Sequence, residues 1–411
     1  MDVAPGRKRT DVGVLPEGWD VVPIGKAGHV MGGRQRSPHY EGRLCKYLRV
    51  ANVFDGYIDT TDVLDMPFSD SEKQRFLLRD GDILLNEGQS LELVGRSAIY
   101  RGVPENCCFQ NTLVRFRAGS NTYPEYAQLV FQQYLRTGVF ASVALQTTSI
   151  AHLGAGRLAT LKMPLPEKRE QEAIAAALSD ADALIESLEQ LIAKKRLIKQ
   201  GAAQELLTGK QRLRGFTGNW EVKSLRQIGE CLIGLTYKPS DVKTDGILVL
   251  RSSNVFEGTL CFEDNVYVQM EIPERALVRK GDILICVRNG SRNLIGKCAK
   301  IDDGAEGMAF GAFMAVFRTS FHDFVYHQFQ SDVIKQQINE HLGATINQIT
   351  NKSLNSFTIP FPPDEAERNA IADILTDMDA EIAALEAKLA KARQIKQGMM
   401  QELLTGRIRL I

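Results

Sequence analysis

The chain has 411 residues, 44% of them hydrophobic, with 50 basic and 50 acidic side chains and a formal net charge of zero. That size buries more than one core, and neutrality excludes a protein held on nucleic acid by bulk charge alone. Apolar runs fall short of the ~20 residues of a membrane span, and the start MDVAPGRKRT lacks the apolar stretch of a signal peptide, so a cytoplasmic chain with no membrane partner is expected.

In chain order, residues 15–165 come first, mixing short β-type runs such as GDILL and LVRFR with a helical stretch over 123–143. Polar, glycine-bearing loops separate these runs, which predicts an α/β or α+β domain with a strongly curved sheet. The tract MPLP (163–166) then precedes a helix in which Ile174, Leu178, Ala181, Ile185, Leu188 and Ile192 recur at alternating steps of four and three. Residues 216–361 repeat the first mixture, with GDILICV and AVFRTS. The tract IPFP (359–362) precedes a second helix with Ile371, Leu375, Met378, Ile382, Leu385 and Leu389 in the same register. An apolar seam of period 3.5 flanked by charge predicts that the two helices pair as an antiparallel coiled coil. By this reading Lys199 lies beyond the seam. The expected boundaries are 1–166 for the first globular domain, 167–209 for the central helix, 210–363 for the second domain and 364–411 for the C-terminal helix.

The chain thus contains itself twice. Residues 171–213 return as 368–410 at an offset of 197, with more than half of the positions identical. The match extends backwards: Trp19 answers Trp220, LRVANVFDG answers LRSSNVFEG, LRDGDILL answers VRKGDILI, and LVGRSAIY answers LIGKCAKI. The tail 7–19 resembles the link 210–220, as expected of a pseudo-twofold internal repeat. Both helices end in QELLTG, so Gln204, Glu205, Leu206 and Leu207, with Gln401, Glu402, Leu403 and Leu404, are candidates for docking two copies of one partner. Gly209 and Gly406 are the expected helix terminators.

The copies differ most in polar loops whose side chains suit base edges and phosphates: Arg or Lys for guanine, Asn or Gln for adenine, hydroxyls for the backbone. In the first copy the candidates are Arg34, Arg36, Gln89, Ser90, Gln146, Thr147 and Thr148; in the second they are Lys238, Arg288, Asn289, Ser291, Arg292, Asn347 and Gln348. Arg49 and Asn52, with Arg251 and Asn254, occur in both copies and therefore suit framework or phosphate positioning better than discrimination. Seven cysteines without a CxxC pair read as reduced, mostly buried thiols. No complete nucleotide loop, dinucleotide fingerprint, flipped-base tetrad, nuclease carboxylate pair or HxxxH zinc spacing is present, which predicts a non-catalytic chain with no catalytic, metal or cofactor-binding residues.

Two α/β units, each opening with a Trp turn and carrying GDIL, a PLP or PFP tract, a long helix and QELLTG, resemble the specificity subunit of type I restriction-modification systems. The resemblance covers nearly the whole chain. It implies that each globular unit is a target recognition domain reading one half of a bipartite, asymmetric double-stranded DNA sequence, with the helices setting the spacer. It also implies two modification (methyltransferase) subunits as partners, and restriction (translocase/nuclease) subunits. S-adenosylmethionine, ATP and Mg would then sit on those partners, with no cofactor bound by this chain. The competing readings are a coiled-coil adaptor binding other proteins and a fused methyltransferase, for which no residues are left over.

Overall fold

The computed structural model describes residues 4–36, 41–147, 149–342 and 347–410. The chain folds as two compact units, residues 1–188 with 388–411, and residues 189–387. The division falls inside both long helices, which run over Lys168–Leu207 and Glu365–Leu403. Each unit therefore owns the start of one long helix and the end of the other.

In the first unit the central sheet is antiparallel, in the order Gly28–Gly32, Leu113–Ala118, Ile83–Asn86, Ser97–Ile99. The GDILL run is buried on both faces, which explains why it is apolar without alternation. Ile83, Leu85, Val114 and Phe116 face one core with Trp19 and Phe131, while Leu84 and Leu113 face a second core with Tyr47, Phe68 and Phe109. That second core lies under a smaller sheet of Cys108–Phe109, Arg43–Leu48 and Leu64–Phe68. Helix Pro124–Arg136 packs on the first face, with Phe116 and Phe131 edge to face at 5.2 Å. The helix expected over 123–143 is broken: Gly138, at φ +74°, starts a separate turn, Val139–Val143. A left-handed residue cannot continue a helix, and glycine occupies that region without strain.

The second unit repeats the plan with Glu230–Ile233, Met314–Arg318, Ile283–Cys286 and Cys298–Lys300 in its central sheet. Ile283, Ile285, Ala315 and Phe317 face one core; Leu284, Cys286, Met314 and Val316 face the other. The repeated aspartate of GDIL has the same task in both units. Asp82 accepts the backbone N–H of Arg79 at 2.8 Å and a two-pronged pair from Arg117 at 2.6 and 2.7 Å. Asp282 does so with Arg279 at 2.8 Å and with Arg318 at 2.8 and 2.6 Å. Buried carboxylates persist when paired this way.

The long helices run antiparallel where they meet within each unit. In the second unit Lys199 pairs with Asp379 at 2.5 Å, Lys195 with Glu381 at 2.6 Å and Arg196 with Glu386 at 2.7 Å; in the first, Lys396 pairs with Asp182. Every seam residue predicted from the period is buried or half-buried. Its first members serve a different surface, however. Ile174 and Leu178 complete the first unit's core, and Ile371 and Leu375 complete the second's. Packing also continues past Lys199, since Ala202, Ala203, Leu206 and Leu207 join the second unit's core.

The Trp turn and QELLTG explain each other. In the first unit Glu170, 1% exposed, accepts the Trp19 indole N–H at 2.9 Å and a two-pronged pair from Arg409 at 2.9 and 2.7 Å. In the second, Glu367 accepts Trp220 at 3.2 Å and Arg212 at 2.6 and 2.8 Å. Gly406 (φ +60°) lies against Pro16 and Trp19, and Gly209 (φ +71°) against Trp220. A Cβ at Gly406 would stand 2.5 Å from Pro16 Cγ, so the helix terminator must be glycine for space as well as for φ.

Candidate nucleic-acid interface

The two units can be superposed residue by residue through matched backbone bonds. Glu87 N–H donates to Thr112 O as Val287 N–H donates to Phe313 O, and Leu153 N–H donates to Glu87 O as Ile349 N–H donates to Val287 O. Gly88 is therefore equivalent to Arg288, His152 to Gln348 and Thr112 to Phe313. These positions follow the buried GDIL strand, where the sheet emerges into polar loops.

In the second unit Arg288 and Gln348 face each other across an antiparallel bridge, so their side chains leave on one face. Both are exposed, and among the described residues neither polar group has a hydrogen bond. The Arg288 guanidinium lies 5.0 Å over the ring of Phe313, an aromatic side chain 58% exposed. Asn289 sits beside them but is tied down: its amide donates to Ser252 Oγ at 3.1 Å and its carbonyl accepts Ser291 N–H at 2.9 Å. Asn347 donates to Gly290 O at 3.0 Å. These bonds shape the loop that carries Arg288. Ser291 is exposed at the turn. Arg292 leaves the group, since its guanidinium donates to the carbonyls of Asn339 and Leu342, at the end of helix Asp332–His341. A cation there satisfies orphan carbonyls and complements the helix dipole.

In the first unit the same frame carries a three-stranded ribbon, Leu145–Gln146, Ala151–His152 and Gly88–Gln89. Gln146 and Gln89 flank Ala151 in register, which puts two carboxamides on one face. Gln89 Oε1 accepts Ser90 N–H at 3.1 Å, and Gln146 is exposed. The Thr147 hydroxyl donates to Ile150 O at 3.0 Å, and Thr148 lies outside the described residues. One row away, His152 Nδ1 is 3.1 Å from Glu87 Oε2. No base-contact signal singled out Phe313, His152 or Glu87 in the sequence; aligning the repeat at Thr112 and Phe313 would have exposed the aromatic.

Other candidates do not join these clusters. Arg34 is buried, paired with Glu72 at 2.8 and 3.0 Å, bonded to Pro67 O and stacked 4.6 Å over Phe68. Those bonds hold the Glu72 carboxyl below its usual range, and Arg34 is a framework residue. Arg36 is exposed on the same loop. Lys238 is exposed, with its backbone N–H bonded to Asp241 at 2.8 Å. Asn52 and Asn254 are buried and cap their own turns: each Oδ1 accepts the N–H of Arg49 or Arg251 at 3.0 Å, and each amide donates to carbonyls across the loop. Arg49 pairs with Asp62 at 2.5 Å and Arg251 with Asp264 at 2.9 Å, so this repeated motif is structural.

The docking candidates split as well. Leu206 and Leu207 belong to the second unit's core and Leu403 and Leu404 to the first's, so none is available to a partner, and QELL is repeated because each helix end packs into a core. Gln204, Glu205 and Gln401 are exposed and Glu402 is half-buried. All seven cysteines are free thiols, five of them buried. Desolvation pushes the Cys107 thiol up to about 12, which removes its thiolate character.

Comparison with known proteins gives one consistent result. The family described as the type I restriction modification DNA specificity domain matches twice, over residues 16–194 and 217–394. The chain is similar to the putative type I restriction enzyme MjaX specificity subunit of Methanocaldococcus jannaschii, with 28% identity over 98% of this chain and 96% of the relative. Its fold is similar to that of a chain solved in work on complex assembly of the type I R-M system, with TM-score 0.61 and 16% identity over 96% of this chain and 99% of that one. It is also similar to the type I restriction-modification S subunit from M. genitalium, with TM-score 0.56 and 16% identity over 98% and 99% of the two chains.

Proposed function

The chain belongs to the type I restriction modification DNA specificity family, and we propose that it directs such a system to its target, each unit reading one half of a bipartite double-stranded sequence. The observation that carries this reading is the pair of equivalent sites. One frame, fixed by the same backbone bonds, presents Arg288, Gln348 and Phe313 in one unit and Gly88, His152 and Thr112 in the other, where the carboxamides Gln89 and Gln146 stand one residue further along and on the opposite face. A shared frame positions on the duplex, and differing side chains discriminate. A protein-binding adaptor needs no such pair of polar readers.

The chain performs no chemistry itself and works in the cytoplasm. Two methyltransferase subunits bring S-adenosylmethionine, and restriction subunits bring ATP and Mg. The exposed Gln204, Glu205 and Gln401, with Glu402 at the second helix end, are the remaining docking candidates for the two methyltransferase copies. The paired helices set the spacer between half-sites.

The test is methylation mapping in cells that express the chain with and without its methyltransferase. The chain alone yields no methylation; together they yield adenine methylation at a two-part sequence. Methyl transfer by the isolated chain, or partner methylation without sequence preference, overturns the reading. The spacer is tested by inserting four helix-forming residues in both helices, after Leu188 and after Ala387, where the units divide. An insertion after Lys199 alone would instead tear Leu206 and Leu207 from their core. Four residues add ~6 Å at ~1.5 Å each, against ~3.4 Å per base pair, so the spacer lengthens by roughly one or two pairs while both half-sites persist.

A further inference from the structure

We infer that Arg288 reads a guanine in the half-site of the second unit, with Phe313 as the residue that aims it, and that the first unit lacks this reader because Gly88 stands at the equivalent position. This rests on the reading of the chain as a DNA specificity subunit.

Three arginines lie near this site. Arg292 is anchored through Nη2 to Asn339 O and Leu342 O, which turns it toward the helix end, and Arg251 is paired with Asp264 at 2.9 Å. Arg288 keeps its donors. Its backbone is fixed, because its N–H donates to Phe313 O at 3.1 Å and the bridge to Gln348 holds it from the other side. Its guanidinium carbon lies 5.0 Å from the centre of the Phe313 ring, and a cation held against an aromatic face makes no hydrogen bond there, so its N–H groups stay available to a base. A bidentate contact to guanine O6 and N7 needs two free N–H donors on one guanidinium, and the ring contact restricts a side chain that is otherwise costly to order. An exposed phenyl ring has no hydrogen-bonding group to offer a guanine, so at a guanine its contribution acts through the arginine. Gln348, leaving the same face, is placed to contact the adjacent pair.

A phosphate contact is the competing outcome, and the two are separable. The full chain is co-expressed with its methyltransferase, and methylation is mapped for wild type and for Arg288→Ala, Arg288→Lys, Phe313→Leu and Phe313→Tyr. The expected result is that Arg288→Ala relaxes one guanine position of one half-site, with a roughly 5- to 150-fold loss of discrimination there, the ratio equivalent to about 1 to 3 kcal/mol. Arg288→Lys keeps the charge and loses the same discrimination. Phe313→Leu relaxes that position alone and in part, and Phe313→Tyr restores it, a pattern that general destabilisation would not give. A uniform fall in affinity for all sequences, with a salt slope reduced by about one and an unchanged target, makes Arg288 a phosphate contact and overturns the inference. An unchanged target with unchanged affinity overturns it too. If wild type itself shows no sequence preference, the underlying DNA reading has failed instead, which distinguishes the two failures.

Discussion

After the buried GDIL strand the first unit has Gly88 and the second Arg288; across the bridge stand His152 and Gln348, and beside them Thr112 and Phe313. A few residues back along the chain the units are alike, with Asp82 on Arg117 and Asp282 on Arg318. Along this strand the buried ion pair is shared and the more exposed positions beyond it differ. A buried carboxylate without its arginine costs several kcal/mol, so those positions have few solutions; an exposed loop side chain costs little to exchange, and there the copies are free to read different things.

The comparison can be broken most forcefully at the frame. Asp82→Ala and Asp282→Ala each leave a half-buried arginine with only its bond to a backbone carbonyl and should cost about 2 to 3 kcal/mol in their own unit. Urea unfolding followed by hydrogen exchange would show it, and unequal losses would mean that the two frames are not energetically equivalent. Next in size is a difference inside the helix layer. Matched contacts, Phe131 on Phe116 and Phe329 on Phe317, make His327 the equivalent of Leu129. Burial, with Lys199 and Lys300 nearby and Asp323 opposing, lowers His327 to about 3, and its Nε2 meets Thr376 Oγ1 at 3.0 Å. The folded state thus holds the ring neutral while the unfolded chain protonates it below its ordinary value near 6.5. Stability present above that pH is lost as pH falls toward 3, about 2 kcal/mol by pH 5. The second unit should loosen in acid before the first, and His327→Leu should abolish that step.

A third contrast is Arg115, buried where the second unit has Val316: Nη2 lies 3.4 Å from His29 Nδ1, while Nε and Nη1 have no partner among the described residues. Burial and the neighbouring Arg117 lower it to about 10. Arg115→Met should leave the first unit unchanged or stabilise it by about 1 kcal/mol, because it removes a buried and only partly compensated charge at similar volume. A loss above about 2 kcal/mol in thermal unfolding would show that the His29 contact outweighs the cost of burying the charge. Smallest is Arg292→Ala, which removes bonds to a helix end and should cost about 0.5 kcal/mol without changing the DNA target.

How much of this was legible in the sequence follows the same division. The duplication, the seam, GDIL and the Trp turn could be read because burial enforces periodicity and repetition. The QELLTG ends were read as docking surfaces because repetition alone does not say which side of a helix is covered, and Leu206, Leu207, Leu403 and Leu404 turned out to face their cores. In the loops, residue type put Arg288 and Arg292 together in the strongest cluster and named Arg34 as well. Only contacts separate them, since Arg34 is bound to Glu72, Arg292 to a helix end, and Arg288 lies open over Phe313.

The central claim is that the two units are independent readers on one frame. The most direct measurement is methylation mapping of the full chain with its methyltransferase for Arg288→Ala and for the double variant Gln89→Ala, Gln146→Ala. The account predicts that the first alters one half-site only and the second alters the other half-site only, with the spacer unchanged. If either variant alters both halves, or if both alter the same half, the units do not read separately and the account is wrong.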